Sequence, residues 1–369
     1  MNTERLHAIA IAVIDDINKT KTDSTLNALV GALQNQINQP QQPPFQQQVS
    51  QHIKTLDTVL KDAPSNSFSP VWKQALKELG LYDLLGNNLL SHIQEIFQRN
   101  QITPSVALGE LQSFQKQLAT RKAALDQLIA SFKQLEIGAE ELEPGQCEVG
   151  ILVPRFAINN KLDEFANDLN ELNKIFGAFS ELTTGGRPGF EIRSISSSDL
   201  NVFLQTAPVV AAGIAVAVER VVGLYKQILE IRKLHGEMKN QGVPNKELKG
   251  VLNHTNNIMK EGIEKLITEL IEKYYDKKDK ERLNELSTEL RFSLNKIARR
   301  IDKGYSVEVR VQPLSQEEQA AKKGGKTAQD AQYIQIILAA SKNLEFLRLS
   351  GEPILSLPES QDSPEKTAE

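Results

Sequence analysis

The stretch that decides the fold class is residues 104–137, which read PSVALGELQSFQKQLATRKAALDQLIASFKQLEI. Apolar side chains recur in it at alternating steps of three and four, and Arg121 occupies one position of the series. This spacing places one apolar seam along an α-helix and is typical of helices that pair as coiled coils do. Thr103 and Pro104 suit the start of the helix, and Gly138 suits its end. The seam positions that we expect to make contacts are Leu111, Phe114, Leu118, Leu125 and Phe132.

A second seam with the same spacing lies in residues 162–179, after the short apolar run Cys147–Val153. Pro154 ends that run, which is typical of a buried strand. Residues 190–195 alternate between apolar and polar side chains, as a half-buried strand does. A strand, a helix and a further strand in this order predict an α/β unit, which we place at residues 146–240.

These patterns together predict a helix-dominated α+β fold. Long coiled-coil-like helices pack on a small mixed β-sheet in this prediction, with strands near residues 148, 191, 202, 307, 346 and 355. The segments that accompany the α/β unit are an N-terminal helical region (1–100) with a Gln/Pro-rich loop (35–51), a long amphipathic helix (101–145), a helical hairpin (241–303), C-terminal strands that complete the sheet (304–358) and a disordered tail (359–369).

The composition places the chain among globular proteins. Of its 369 residues 40% are hydrophobic, and 43 Lys plus Arg against 47 Asp plus Glu leave a formal net charge of -4. This balance argues against a nucleic-acid binder with one strong basic field. The single cysteine excludes an internal disulfide framework and a cysteine-rich zinc module. The apolar run at residues 8–14 is too short for a secretory signal, so we expect a cytoplasmic protein.

Residues 208–225 form the segment that comes nearest to a membrane span in composition. The part from Pro208 to Val218 is continuously apolar, but Glu219 and Arg220 follow it. A spanning helix needs about 20 predominantly apolar residues, so we interpret the segment as a buried helix that lies on a sheet. Insertion into lipid after a conformational change stays open as an alternative. It would make the protein a membrane-perturbing effector.

Basic side chains concentrate in residues 273–303, where acids are interleaved with them. A solvated helix face is the plainer interpretation of such a mixture. The alternative is a basic face that contacts nucleic acid or phospholipid headgroups. The residues that would carry this face are Lys277, Lys278, Lys280, Arg282, Arg299 and Arg300.

No motif in the sequence meets the requirements of a catalytic or cofactor site. The five histidines form no set with metal-ligand spacing. Acidic residues precede and follow Cys147, and because acids raise the pKa of a thiol, we expect a structural cysteine. Residues 324–327 end like a phosphate-binding loop, but Ala320 stands where its first glycine belongs. We therefore expect no catalytic residue, no cofactor and no metal, although a site assembled from distant residues stays open.

The central and C-terminal parts resemble a group of uncharacterised bacterial proteins over about residues 104–358. The likeness is carried by Val153-Pro154-Arg155, by the segment from Arg193 to Leu200, by the alanine-rich helix and by the segment from Gly351 to Pro358. It implies a bacterial cytosolic protein. No activity comes with the resemblance, so no functional residue is transferred. A role in phage defence or another conflict system is a hypothesis for such a protein.

The functional hypothesis with most support from the sequence is a non-enzymatic interaction or assembly protein. Its helices would pair with a protein partner or with a second copy of the chain, unless the fold buries their seams internally. The membrane-perturbing effector and the nucleic-acid binder are the alternatives. A small-molecule ligand is left undetermined.

Overall fold

The computed structural model describes residues 3–196, 200–275, 279–313, 325–344, 347, 349 and 351–360. The chain divides into two compact units, Met1–Glu141 and Leu142–Glu369. Each unit buries its own cluster of apolar side chains.

The N-terminal unit is helical throughout its described part. Its core is built from leucines and isoleucines of all its α-helices, among them Leu29, Leu56 and Leu111, which are fully buried. Short 3-10 turns at Pro64–Ser67 and Tyr82–Leu84 connect the shorter helices. The α-helices are α1 (Thr3–Thr20), α2 (Thr22–Asn38), α3 (Pro43–Lys61), α4 (Pro70–Glu78), α5 (Gly86–Arg99) and α6 (Pro104–Gln134).

The predicted Gln/Pro-rich loop at residues 35–51 is wrong in its extent. Helix α2 continues to Asn38 and α3 begins at Pro43, so only residues 39–42 leave the helical conformation. Pro43 and Pro44 occupy the first turn of α3, where a backbone N–H has no intrahelical acceptor and its loss costs nothing. The glutamines that follow are good helix formers, which explains why the helix continues through them.

The C-terminal unit combines five further α-helices of the described residues with one sheet. The helices are α7 (Leu162–Thr184), α8 (Pro208–Asn240), α9 (Asn245–Tyr274), α10 (Lys280–Asp302) and α11 (Gly325–Asn343), and a 3-10 turn lies at Arg155–Ile158. The strands are β1 (Cys147–Val153), β2 (Glu191–Ser196), β3 (Leu200–Thr206) and β4 (Ser306–Val311).

The four strands form an antiparallel sheet in the order β2-β3-β1-β4. Ile151 of β1 lies opposite Val202 of β3 on one side and Val307 of β4 on the other. The helix-dominated α+β class is therefore confirmed, but the sheet is antiparallel rather than mixed. Three residues separate β2 from β3, and a parallel crossover needs a dozen or more, so this connection fixes an antiparallel pair.

Helix α8 is the centre of the C-terminal unit. It packs against α7, α9, α10 and α11 and also against β1 and β4. Its small residues, such as Ala211, Ala212 and Ala215, are completely buried and allow the neighbouring elements to approach closely. Alternate residues of β1, including Val149 and Ile151, belong to the same core. Residues 208–225 thus supply the centre of a protein core.

The C-terminal strand predictions differ from the structure. Residue 346 lies outside the described residues, as do residues 361–369 of the predicted disordered tail. Residues 353–357, predicted as a strand near 355, have no regular secondary structure and pair with no strand in the described part of the chain. Ile354, Leu355 and Leu357 of this segment are buried, whereas Ser356 is exposed.

Candidate functional site

Residues 351–360, here called the strap, lie in the part of the C-terminal unit that most resembles a binding site. The strap lies against side chains of α8, α9 and α10. Most of these side chains contact its backbone rather than its side chains. The five residues that hold the strap, here called the strap site, are Arg232, Asn256, Asn295, Arg299 and Asp302.

Asp302, the last residue of α10, is the central acceptor of the strap site. Its Oδ2 atom accepts hydrogen bonds from the backbone N–H groups of Ile354 and Leu355, both at 2.7 Å. The residue is 1% exposed. A buried carboxylate that accepts two consecutive amides makes charge-assisted hydrogen bonds, which are stronger than those between neutral groups.

A buried cation and a phenol complete the environment of this carboxylate. Arg232 Nη1 lies 2.8 Å from the Oδ1 atom of Asp302, and the hydroxyl of Tyr225 donates to the same oxygen. Burial raises the pKa of Tyr225 above its usual value and the adjacent Asp302 raises it further, so the hydroxyl stays protonated and able to donate. The charge of Asp302 is therefore compensated before the strap contributes its two amides.

The rest of the strap is held at further backbone atoms. Arg232 donates from Nη2 to the carbonyl of Gly351 at 2.7 Å. Asn256 accepts the N–H of Ser356 at 2.9 Å. Two donors of α10 contact the far end: Asn295 bonds the carbonyl of Pro358 at 2.8 Å and Arg299 that of Leu357 at 3.2 Å. The side chains of the strap site thus contact backbone atoms of the strap along eight residues, 351–358.

Gly351 turns the chain into the site with a φ of +76°, in the left-handed region that favours glycine. Three aliphatic side chains then anchor the strap, because Ile354, Leu355 and Leu357 are 3%, 7% and 2% exposed. Glu352 pairs with Lys239 in an exposed position, and such pairs contribute little. Affinity at this site would come from the apolar anchors and the backbone bonds.

The predicted seam residues lie elsewhere, inside the N-terminal unit. Leu111, Leu118, Leu125 and Phe132 are all buried, and Phe114 packs partly buried against the same core. The seam of α6 is consequently used for internal packing against α1, α2 and α5. Within this unit the seam residues other than Phe114 are covered, and Phe114 is half-buried.

The predicted basic face is largely neutralised by acids of neighbouring helices. Arg282 contacts Glu181 of α7 and holds the pKa of that carboxyl at about 2. Arg300 pairs with Asp168 of α7 at 2.8 Å. Lys280 is exposed, Arg299 belongs to the strap site, and Lys277 and Lys278 lie outside the described residues. Little uncompensated positive charge is left in the described part of this face.

Helix α8 is the one helix of the described residues that is long and apolar enough to cross a membrane by length and composition. The protein buries 61% of its apolar window. A core helix passes the same test, and the packing of α8 on six neighbouring elements of its unit accounts for its composition.

Cys147, at the start of β1, has no exposed surface. Burial raises the pKa of its thiol to about 12, and the charge of Asp330 adds to the shift. A thiol in this state is a poor nucleophile at neutral pH. Among the described residues, no group of three or more His, Cys, Asp or Glu side chains could hold a metal ion.

A second buried polar cluster lies on the sheet around Glu148 of β1, which has no exposed surface. Arg193 of β2 and Arg310 of β4 each place a guanidinium nitrogen 3.7 Å from one of its carboxylate oxygens. Gly150, two residues further along β1, leaves room for Phe203, because a Cβ at residue 150 would lie 2.7 Å from the ring of Phe203. The charges in this cluster compensate one another within the sheet.

Comparisons of the chain with protein-family models, with curated proteins and with solved structures give no match. The bacterial resemblance is consequently still an expectation. The strap site was missed at the sequence level. Arg232 lies in the charged second half of α8 and Asp302 at the charged end of α10, and no local pattern marks two residues that are 70 positions apart.

Proposed function

We propose that the chain is a non-enzymatic interaction protein that assembles by binding an extended polypeptide segment at the strap site. The observation that supports this proposal most is the pair of backbone amides on the buried Asp302 carboxylate. Recognition through the backbone is how proteins commonly bind extended segments, with pockets for alternate side chains adding selectivity. We also propose a bacterial cytosolic setting, on the resemblance and the composition described above.

The chemistry of the preferred ligand follows from the strap itself. The ligand begins with a residue that adopts a positive φ, as Gly351 does. Aliphatic side chains follow at the positions of Ile354, Leu355 and Leu357, while the position of Ser356 faces solvent. The ligand class is thus a short, extended, aliphatic peptide segment with one exposed position among its apolar anchors.

The two alternatives have less support from the geometry. A nucleic-acid interface needs uncompensated cations, and the arginines of α10 are paired with acids of α7 or α9 or bound to the strap. A membrane effector would have to withdraw α8 from the core that it organises. Neither alternative is favoured by a specific contact among the described residues.

The proposal is tested with a labelled peptide of residues 350–360 and the full chain carrying Ile354→Asp and Leu357→Asp, which weaken the bound strap. Saturable binding by fluorescence anisotropy is expected. A peptide with N-methyl groups on the amides of Ile354 and Leu355 should bind at least about tenfold more weakly, since each lost bond to a charged acceptor costs about 1.5–3 kcal/mol. A Ser356→Ala peptide is the matched control and should bind like the parent.

Circular dichroism of the variant chain establishes that it is folded before the titration. Equal affinity of the parent and N-methylated peptides would contradict the proposal, because the site would then not read the backbone. If the folded variant chain does not bind the parent peptide at all, the proposal is contradicted as well.

A further inference from the structure

The strap is attached to the protein in a way that permits its replacement. The hydrogen bonds described for residues 351–358 end on side chains of α8, α9 and α10. The strap adds no strand to the sheet and belongs to no helix. It can therefore leave the site without breaking the backbone ladder of any helix or strand of the unit.

The strap site nevertheless requires an occupant. Asp302, Arg232 and Asn295 are 1%, 4% and 3% exposed, and each directs a polar atom at the backbone of the strap. An empty site would leave these atoms without their partners, and it would uncover the apolar surface that Leu355 and Leu357 now cover. A strap that departs must therefore be replaced by a segment of the same chemistry.

Another copy of the chain always offers a segment with that chemistry, namely its own strap. We infer that two copies exchange straps, each placing its residues 351–360 in the strap site of the other. This inference rests on the proposed function and names the partner. Because the exchanged contacts are those seen within one chain, they contribute equally in both forms, and the arrangement is self-complementary, as a two-fold dimer requires.

The balance between the two forms is set by concentration. A strap bound within its own chain profits from a high effective concentration, because it is covalently tethered to the chain that carries its site. The exchanged dimer is therefore the minor form in dilute solution and increases as the protein is concentrated. A covalent trap detects a minor form of this kind, because it accumulates the product.

Ser356 and Asn256 provide the positions for such a trap, since the backbone nitrogen of Ser356 lies 2.9 Å from the Oδ1 atom of Asn256. One full-length copy carries Ser356→Cys and a second carries Asn256→Cys. An equimolar mixture is oxidised with diamide and analysed by non-reducing electrophoresis. The native Cys147 is buried and does not interfere.

The mixture should form a covalent heterodimer about tenfold faster than a control mixture in which the second cysteine is placed by Glu261→Cys, on the exposed surface of α9. Adding Leu357→Asp to the first copy should abolish this advantage, because the strap would no longer seat. The double variant Ser356→Cys with Asn256→Cys in one chain should close an internal disulfide.

The outcomes separate the exchange from the function that it rests on. If the one-chain double variant closes its disulfide and the peptide binds, while the mixture reacts no faster than the Glu261→Cys control, exchange is refuted and the proposed function stands. If the one-chain double variant does not close its disulfide and the amides of Ile354 and Leu355 show no protection from hydrogen exchange, the binding of the strap at the strap site is refuted, and exchange falls with it.

Discussion

Replacing Asp302 with asparagine tests whether the strap site is held by its carboxylate. The substitution keeps the shape of the side chain but leaves one oxygen where two were accepting. One oxygen of Asp302 serves the amides of Ile354 and Leu355, and the other serves Arg232 and Tyr225. The new amide group must therefore point its NH2 at donors on one of the two sides.

The expected loss of stability follows from these contacts. Breaking a buried ion pair costs about 3–5 kcal/mol, because the remaining charge is buried without its partner. The charge left behind is that of Arg232, which is 4% exposed. Tyr225→Phe removes a single hydroxyl, bonded to a charged acceptor, while Arg232 and Asp302 still pair, so we expect a smaller loss of about 1.5–3 kcal/mol for that variant.

Hydrogen exchange measured by mass spectrometry is the suitable assay, because it resolves the strap from the rest of the chain. The protection of the Ile354 and Leu355 amides should fall by about a hundredfold or more in Asp302→Asn, as their charged acceptor is lost. Glu261→Gln, which removes an exposed carboxylate from α9, should change stability by no more than about 0.5 kcal/mol. Unchanged protection of the two amides in Asp302→Asn would refute the reasoning.

Three further predictions concern other parts of the chain. Leu118→Ala should destabilise the N-terminal unit by about 2–5 kcal/mol in urea unfolding followed by tryptophan fluorescence, whereas Leu135→Ala, at an exposed position, should change it by less than about 0.5 kcal/mol; equal effects would contradict the internal seam. Cys147, with its pKa raised to about 12, should react with Ellman's reagent at pH 8 only when the protein is unfolded, and fast labelling of the folded protein would contradict its burial. Because Arg282 lowers the pKa of Glu181 from 4.5 to about 2, the pair stabilises the protein above pH 4.5, and that contribution is lost as the pH falls towards 2. In denaturant titrations over this range, the stability of Glu181→Gln should depend less steeply on pH than that of the parent protein. An identical pH profile of the two proteins would count against the pair.

The parts of the fold that the sequence predicted are those encoded by periodicity. The seam of residues 104–137 became α6, and the apolar and alternating runs became β1, β2 and β4. A repeat of this kind reports which side of an element is buried. It does not report what covers that side, which is why the seam was equally consistent with an internal core and with an interface.

The strap site could not be predicted because its determinants are distant in the chain. Asp302 meets Arg232 70 positions away and Ile354 52 positions away. The apolar residues of the strap were interpreted as a strand, but the partners of its backbone are helix side chains. Local patterns describe one element at a time, whereas this site exists only where three helices and an irregular segment converge.

Backbone recognition at the strap site has a consequence for how its ligands can diverge. The carbonyls and amides that contact Asp302, Asn295 and Arg232 are common to every polypeptide. Substitutions at outward positions such as Ser356 leave those groups in place. Two peptides with few identical residues could thus compete for the same strap site. A search for natural ligands would therefore do better to score backbone conformation and the placement of three aliphatic side chains than to rely on sequence alignment.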